Sequence, residues 1–159
     1  MPDITAEIGD LLRRKGLTLG TVESATGGLI AHMVTGISGS SDYFKGSIVS
    51  YSNDIKNRII GVNTQTLKKY GAVSSQVAEE MALGGKKILD VDICLADTGI
   101  AGPGGATPDK PIGLFYLGMA EKGGVFSRKH EFHGDRDHNK QSAALEALAW
   151  LKEYLSSLT

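Results

Sequence analysis

Apolar residues recur at two different periods along this chain, and the alternation between the periods lays out its elements. Ile4, Ile8, Leu11 and Leu12 repeat at helical spacing until Gly16, which predicts a helix from about Asp3 to Lys15. Leu17 to Val22 is short, apolar and β-branched, a strand signal. It runs into Glu23-Ser24-Ala25-Thr26-Gly27-Gly28, after which Leu29, Ile30, Met33 and Val34 return to helical spacing. A second strand is predicted near Gly46 to Ser52, with a helix starting at Asn53 or Asp54. Asn63 to Tyr70 reads as a short polar helix ending at Gly71. Ser74 then caps a longer helix whose apolar stripe (Val77, Met81, Leu83, Ile88) is imperfect and whose Gly84 and Gly85 mark close packing. Val91 to Asp97 is a third strand, followed by a glycine-rich loop from Thr98 to Gly105. Strands at Gly113 to Ala120 and Val125 to Phe132 flank a hairpin turn at Lys122-Gly123-Gly124. A last helix spans about Asp135 to Leu158. This order predicts an α/β fold, a three-layer α/β/α sandwich on a mixed sheet of about five strands, the final hairpin supplying the antiparallel part.

Composition narrows the partners. With 159 residues, 41% of them hydrophobic, the chain fits one compact domain over residues 1–159. Its net charge of −1 provides no long-range positive field, so neither nucleic acid nor an anionic membrane is an expected partner. An anion must be held locally. Cys94 is the single cysteine, in the apolar run Val91 to Ala96, which excludes an intramolecular disulfide and a thiolate metal cluster. The first residues lack a basic region followed by an apolar core, and no apolar run approaches the ~20 residues of a membrane span, so a cytoplasmic protein is expected.

Candidate chemistry concentrates in Gly39 to Lys56, GSSDYFKGSIVSYSNDIK. Hydroxyl, phenol and amine without a histidine is the inventory of a serine hydrolase with a lysine base, although a turn, a strand and a solvated helix start use the same residues. Lys56 falls in the first turn of the predicted helix, where the macrodipole disfavours a cation by roughly 0.3 to 1 kcal/mol. Lowering a lysine into the useful range takes about three pK units, or ~4 kcal/mol, so burial or a neighbouring cation is required. The turn after the first strand exposes helix-start amides beside the Ser24 and Thr26 hydroxyls, either an anion site or ordinary capping. The loop from Thr98 through Gly99 and Gly102 to Gly105 matches neither a Walker loop nor a dinucleotide fingerprint. It is either a backbone approach to a ligand or a sharp connection. Arg136 lies just inside the last helix, against the local charge preference, where it holds an anion or pairs with Asp135 or Asp137. A metal site on His133, Asp135, Asp137 and His138 is the rival constellation; aspartates at a helix start are usually caps, and no metal or cofactor is assigned.

Six separated blocks resemble one family. They are Glu23 to Gly28 (ESATGG), GSS at Gly39 to Ser41 with YSNDIK at Tyr51 to Lys56, GAVS at Gly71 to Ser74, TGIAGPGG at Thr98 to Gly105, KPIG at Lys110 to Gly113, and GDR at Gly134 to Arg136. In this order, over nearly the whole chain, they resemble the C-terminal domain of the CinA family, which includes the nicotinamide-nucleotide amidases. The resemblance implies hydrolysis of the carboxamide of nicotinamide mononucleotide to nicotinate mononucleotide and ammonia, without a cofactor. It assigns Ser41 as nucleophile, Tyr51 and Lys56 as its activating pair, and Ser24, Thr98 and Arg136 as substrate-binding residues. Thr26, Gly99 and Gly102 join the substrate site as candidates, and the family's domains associate, which leaves a homo-oligomer open. Larger members carry an N-terminal domain with pyrophosphatase activity, and this chain is expected not to contain it. Two departures stand out: Ala25 replaces the usual cysteine of the first block, and Asp97 adds a carboxylate that would repel a substrate phosphate if it faced the pocket. A catalytically silent module that binds a phosphorylated nucleotide or a partner protein is the alternative function.

Overall fold

The computed structural model describes residues 3–158; the expected span of residues 1–159 is therefore described except at positions 1, 2 and 159. The elements are α1 (Ile4–Lys15), β1 (Leu19–Glu23), α2 (Leu29–Thr35), β2 (Phe44–Val49), α3 (Asn53–Ile55) continued by a π-helical turn (Lys56–Ile60), α4 (Thr64–Tyr70), α5 (Ser75–Leu89), β3 (Ile93–Gly99), β4 (Leu114–Glu121), β5 (Gly124–Glu131) and α6 (Arg136–Ser157). The five strands form one mixed sheet in the order β2-β1-β3-β4-β5. β1 pairs in parallel with β2 and β3, while β3, β4 and β5 pair antiparallel. The expected layered fold is the one observed.

Side-chain alternation explains the layers. Leu19, Ile93, Leu95, Leu117 and Met119 face α1, α2 and α6, in a core with Ile8, Leu12, Ile30, Leu148 and Leu151. Val22, Cys94, Ala96 and Ala120 point the other way, onto Val77, Met81 and Ala82 of α5. Gly85 permits that contact, since a Cβ there would run into Val22 and Cys94. Burial pushes the Cys94 thiol up to about 12, so it packs as a small apolar group.

Caps fall where the chain signals them. Asp3, Ser74 and Asp135 accept from the amides of Thr5, Val77 and His138. All five strands differ from expectation in their bounds by a few residues, and two of the shifts have a visible cause. β2 begins at Phe44 and ends at Val49, because the carbonyls of Ser50 and Tyr51 are taken by a side chain. β3 reaches Gly99, because antiparallel pairing with β4 continues to the Gly99 and Phe115 pair.

The topology positions the site. From β1 the chain goes to β2 on one side of it and then crosses to β3 on the other. The carboxyl ends of β1 and β3 therefore flank a switch point, where open α/β sheets place their ligands.

Candidate active site

A pocket of about 290 Å³ opens at that switch point, lined among others by Ser24, Tyr51, Asn53, Lys56, Thr98, Gly99, Gly105 and Arg136. Five segments build it: the turn after β1, the chain leaving β2 into α3, the turn before α5, the end of β3 with its glycine loop, and the start of α6. Lys56 is 1% exposed, and its Nζ donates to Ser24 Oγ (2.9 Å), the Ser50 carbonyl (2.8 Å) and the Tyr51 carbonyl (2.8 Å). Ser52 caps α3 by accepting from the Ile55 amide at 3.1 Å, which turns the chain so that Lys56 points back beneath the end of β2. Burial lowers the Lys56 amine to about 8, against the opposing charge of Asp97. Burial thus supplies what the macrodipole could not. A neutral amine donating to the two carbonyls keeps its lone pair for the Ser24 hydroxyl, the geometry of a nucleophile and its base.

Ser41 is not in this arrangement. It is exposed in a 3-10 turn, Ser40–Asp42, before β2, whereas Lys56 follows β2. Six strand residues, roughly 20 Å, separate the two ends. The expected pairing of Ser41 with Lys56 is therefore corrected: the hydroxyl that meets the amine is Ser24, brought from the end of β1 because β1 and β2 are parallel neighbours. Tyr51 contributes its carbonyl to the lysine, and its phenol is 63% exposed at the rim, where Arg136 Nη2 reaches it at 3.4 Å.

Thr26 was expected to touch substrate, and the fold turns it away. It is 1% exposed, with Oγ1 held 2.7 Å from Glu23 Oε1 and 2.5 Å from Asp97 Oδ1. Asp97 likewise does not face the pocket. Fully buried, it accepts from the amides of Ser24 (3.0 Å) and Thr26 (3.1 Å) and so fixes the turn that carries Ser24. Between those two amides, the Ala25 amide makes no hydrogen bond among the described residues. Glu23 accepts from the amides of Gly28 (3.1 Å), Ile30 (2.9 Å) and Ala31 (2.9 Å), filling the start of α2 that the sequence offered as an anion site. Positive φ at Gly27 (62°) and Gly28 (100°) bends those amides toward it.

The far wall is tied together by side chains. Thr98 lines the pocket and donates Oγ1 to the Ala72 carbonyl at 2.7 Å, holding the turn before α5. Gly99 lines it too, with the Phe115 ring where a Cβ would stand. The Gly102 carbonyl accepts from Arg136 Nη1 at 2.8 Å, so Gly102 positions the arginine. Asn139 is a buried residue that sequence reasoning missed; its Nδ2 donates to the carbonyls of Ala101 and Gly134, both at 3.0 Å, locking α6 to the loop. Asp135 of the rival metal constellation caps α6. Among the described residues no group of three or more His, Cys, Asp or Glu side chains is placed to hold a metal ion.

Comparison with known proteins agrees with this architecture. The family model of the CinA C-terminal domain matches residues 2–155. The chain belongs to the CinA C-terminal domain family. A CinA-like protein of Salinibacter ruber is 45% identical over 156 residues, covering 97% of this chain and 38% of that protein. The chain thus spans about two fifths of the length of the curated relatives it matches. A solved CinA superfamily protein of Klebsiella pneumoniae superposes with a TM-score of 0.94 at 28% identity, covering 98% of this chain and 97% of the other. The competence/damage inducible protein CihA of Agrobacterium tumefaciens does so with a TM-score of 0.89 at 36% identity, covering 99% and 98%. The two solved structures share the fold of this chain. No helix among the described residues is long and apolar enough to cross a membrane.

Proposed function

We propose that this CinA domain is an amidohydrolase that converts the carboxamide of nicotinamide mononucleotide to a carboxylate, with Ser24 as nucleophile and Lys56 as general base. The observation that carries this reading is the buried Lys56 amine, held by two carbonyls and 2.9 Å from a hydroxyl that lines the pocket. Ser24 Oγ attacks the amide carbon as its proton passes to Lys56 Nζ. The Ala25 amide, free of other partners among the described residues, serves the oxyanion. Collapse of the tetrahedral adduct breaks the C–N bond, the amine leaving as ammonia with the proton from Lys56. Water, deprotonated by the same amine, then releases the acyl group as nicotinate mononucleotide and restores Ser24. Arg136 uses two of its five N–H donors on Gly102 and Tyr51, and the remaining ones serve the substrate phosphate beside the glycine loop.

The test is ammonia release from nicotinamide mononucleotide by the purified protein and by Ser24→Ala. Turnover by the wild type, lost in Ser24→Ala, is expected. Mononucleotide binding without ammonia release would instead leave a binding module. The rate should climb with pH through about 8 as Lys56 becomes neutral, and a flat profile would contradict a lysine base.

A further inference from the structure

Behind Ser24, two carboxylates lie buried on the same face of the sheet, Glu23 at the end of β1 and Asp97 on β3, each with 0% exposure. The Thr26 hydroxyl stands between them, 2.7 Å from Glu23 Oε1 and 2.5 Å from Asp97 Oδ1. A hydroxyl has one proton: it donates to one oxygen and accepts from another. Two ionised carboxylates have no proton to offer it, so both contacts are hydrogen bonds only if one carboxyl is protonated. The remaining donors decide which one. Glu23 accepts three backbone amides and the Thr21 hydroxyl, whereas Asp97 accepts two amides. The negative charge therefore belongs on Glu23 and the proton on Asp97.

We infer that Asp97 holds a proton at neutral pH, donating it to Thr26, which donates to Glu23, and that this neutral carboxyl lets the neighbouring Lys56 stand uncharged as the base. The second half of this inference rests on the reading of Lys56 given above. Asp97 is a positioning residue: it touches the backbone of the nucleophile turn and acts on Lys56 through its charge state. The charged groups facing it are Glu23 from β1 and Lys56 from beyond β2. On α6 the nearby side chains are Ala143, packed with Ala25, and Lys140, whose amine lies against Gly27. Its partner on β4 is Leu117. Burial, the largest cause, pushes the Asp97 carboxyl up to about 6 even with the Thr26 hydroxyl donating to it, and a Thr26 that accepts from it instead no longer holds it down; an ionised Asp97 would raise Lys56. The Thr26 bridge keeps the proton on Asp97 while Lys56 loses its own at about 8.

Infrared spectroscopy reads that proton without any turnover. At pH 7 the wild-type protein should show the carbonyl stretch of one protonated carboxyl. The band should shift on [13C]aspartate labelling, be absent in Asp97→Asn, persist in Thr26→Ser and move in frequency in Thr26→Val, which removes its hydrogen-bond partner. Only ionised carboxylate bands for aspartate would overturn the inference, even if the protein proved inert toward the mononucleotide. In the active enzyme, Asp97→Asn mimics the neutral carboxyl, so the acid limb of kcat/KM should stay where it is in the wild type. A shift of that limb to lower pH by about a unit or more would show that Asp97 had been a charged partner of Lys56, and would overturn it.

Discussion

The two ends of β2 carry the same kinds of side chain and do different things with them. Before the strand, Ser40 and Ser41 sit in a turn near Arg13, whose Nε donates to Asp42 Oδ2 at 3.0 Å across an exposed surface. After it, Lys56, itself 1% exposed, meets Ser24 at the floor of the pocket. An exposed cation beside a hydroxyl keeps its charge and its hydration, and it can take no proton. The buried amine has lost its water, and two carbonyls and the Ser24 hydroxyl replace it. Residue type and burial together separate this surface ion pair from a general base: the Arg13 guanidinium keeps its proton in any setting, whereas a lysine gives its proton up when desolvated.

Breaking this contrast at its strong end should have the largest effect. Ser24→Ala should lower kcat by at least about a thousandfold while circular dichroism remains unchanged. Activity near wild type would remove Ser24 as nucleophile. The lysine can be tested without substrate. Its folded pKa is depressed to about 8. Between that value and the unfolded value near ~10.4, the unfolded chain binds a proton that the folded protein does not. Stability should therefore rise with pH across that window in the wild type and lose that rise in Lys56→Met, as thermal melts at several pH values would reveal. Equal slopes in the two proteins would mean that the amine is not desolvated.

Packing beneath the site can be probed separately. Gly85→Ala drives a Cβ into Val22 and Cys94, which should cost about 1 to 3 kcal/mol in denaturant unfolding, and no loss would mean that α5 can lift off the sheet. A smaller change is expected at the pocket mouth. Arg136→Ala should weaken the mononucleotide roughly tenfold, about 1.4 kcal/mol, and the unphosphorylated riboside much less. Equal losses would argue against a phosphate contact. Smallest of all is Ser41→Ala, whose kcat/KM should stay within about twofold of wild type, because surface changes away from a site are nearly silent. A large loss there would restore the turn before β2 as part of the site.

Much of the fold was legible because each element carries its own local signal. The period of Ile4, Ile8 and Leu11, the caps at Asp3, Ser74 and Asp135, and the hairpin at Gly123-Gly124 act within a few residues. The site was legible only in part. Lys56, Tyr51, Ser24 and Arg136 could be named as candidates, but the choice between Ser24 and Ser41 could not be made from spacing. Ser41 is nearer to Lys56 in sequence, and Ser24 is nearer in space. Asp97 gave a faint signal, a carboxylate closing the apolar run from Ile93 to Ala96, yet nothing local said which way it pointed. Asn139 gave none, since a polar residue early in a helix is ordinary.

What the sequence determined by itself was the set of elements, their order and the stock of chemical groups, because helix and strand periods, caps and turns are short-range properties of the chain. Only the tertiary structure decided which groups meet. The parallel pairing of β1 with both β2 and β3 sets three carboxyl ends side by side. There it buries an amine against one hydroxyl and two carboxylates against another, and burial of that kind is a property of packed layers that no single segment possesses.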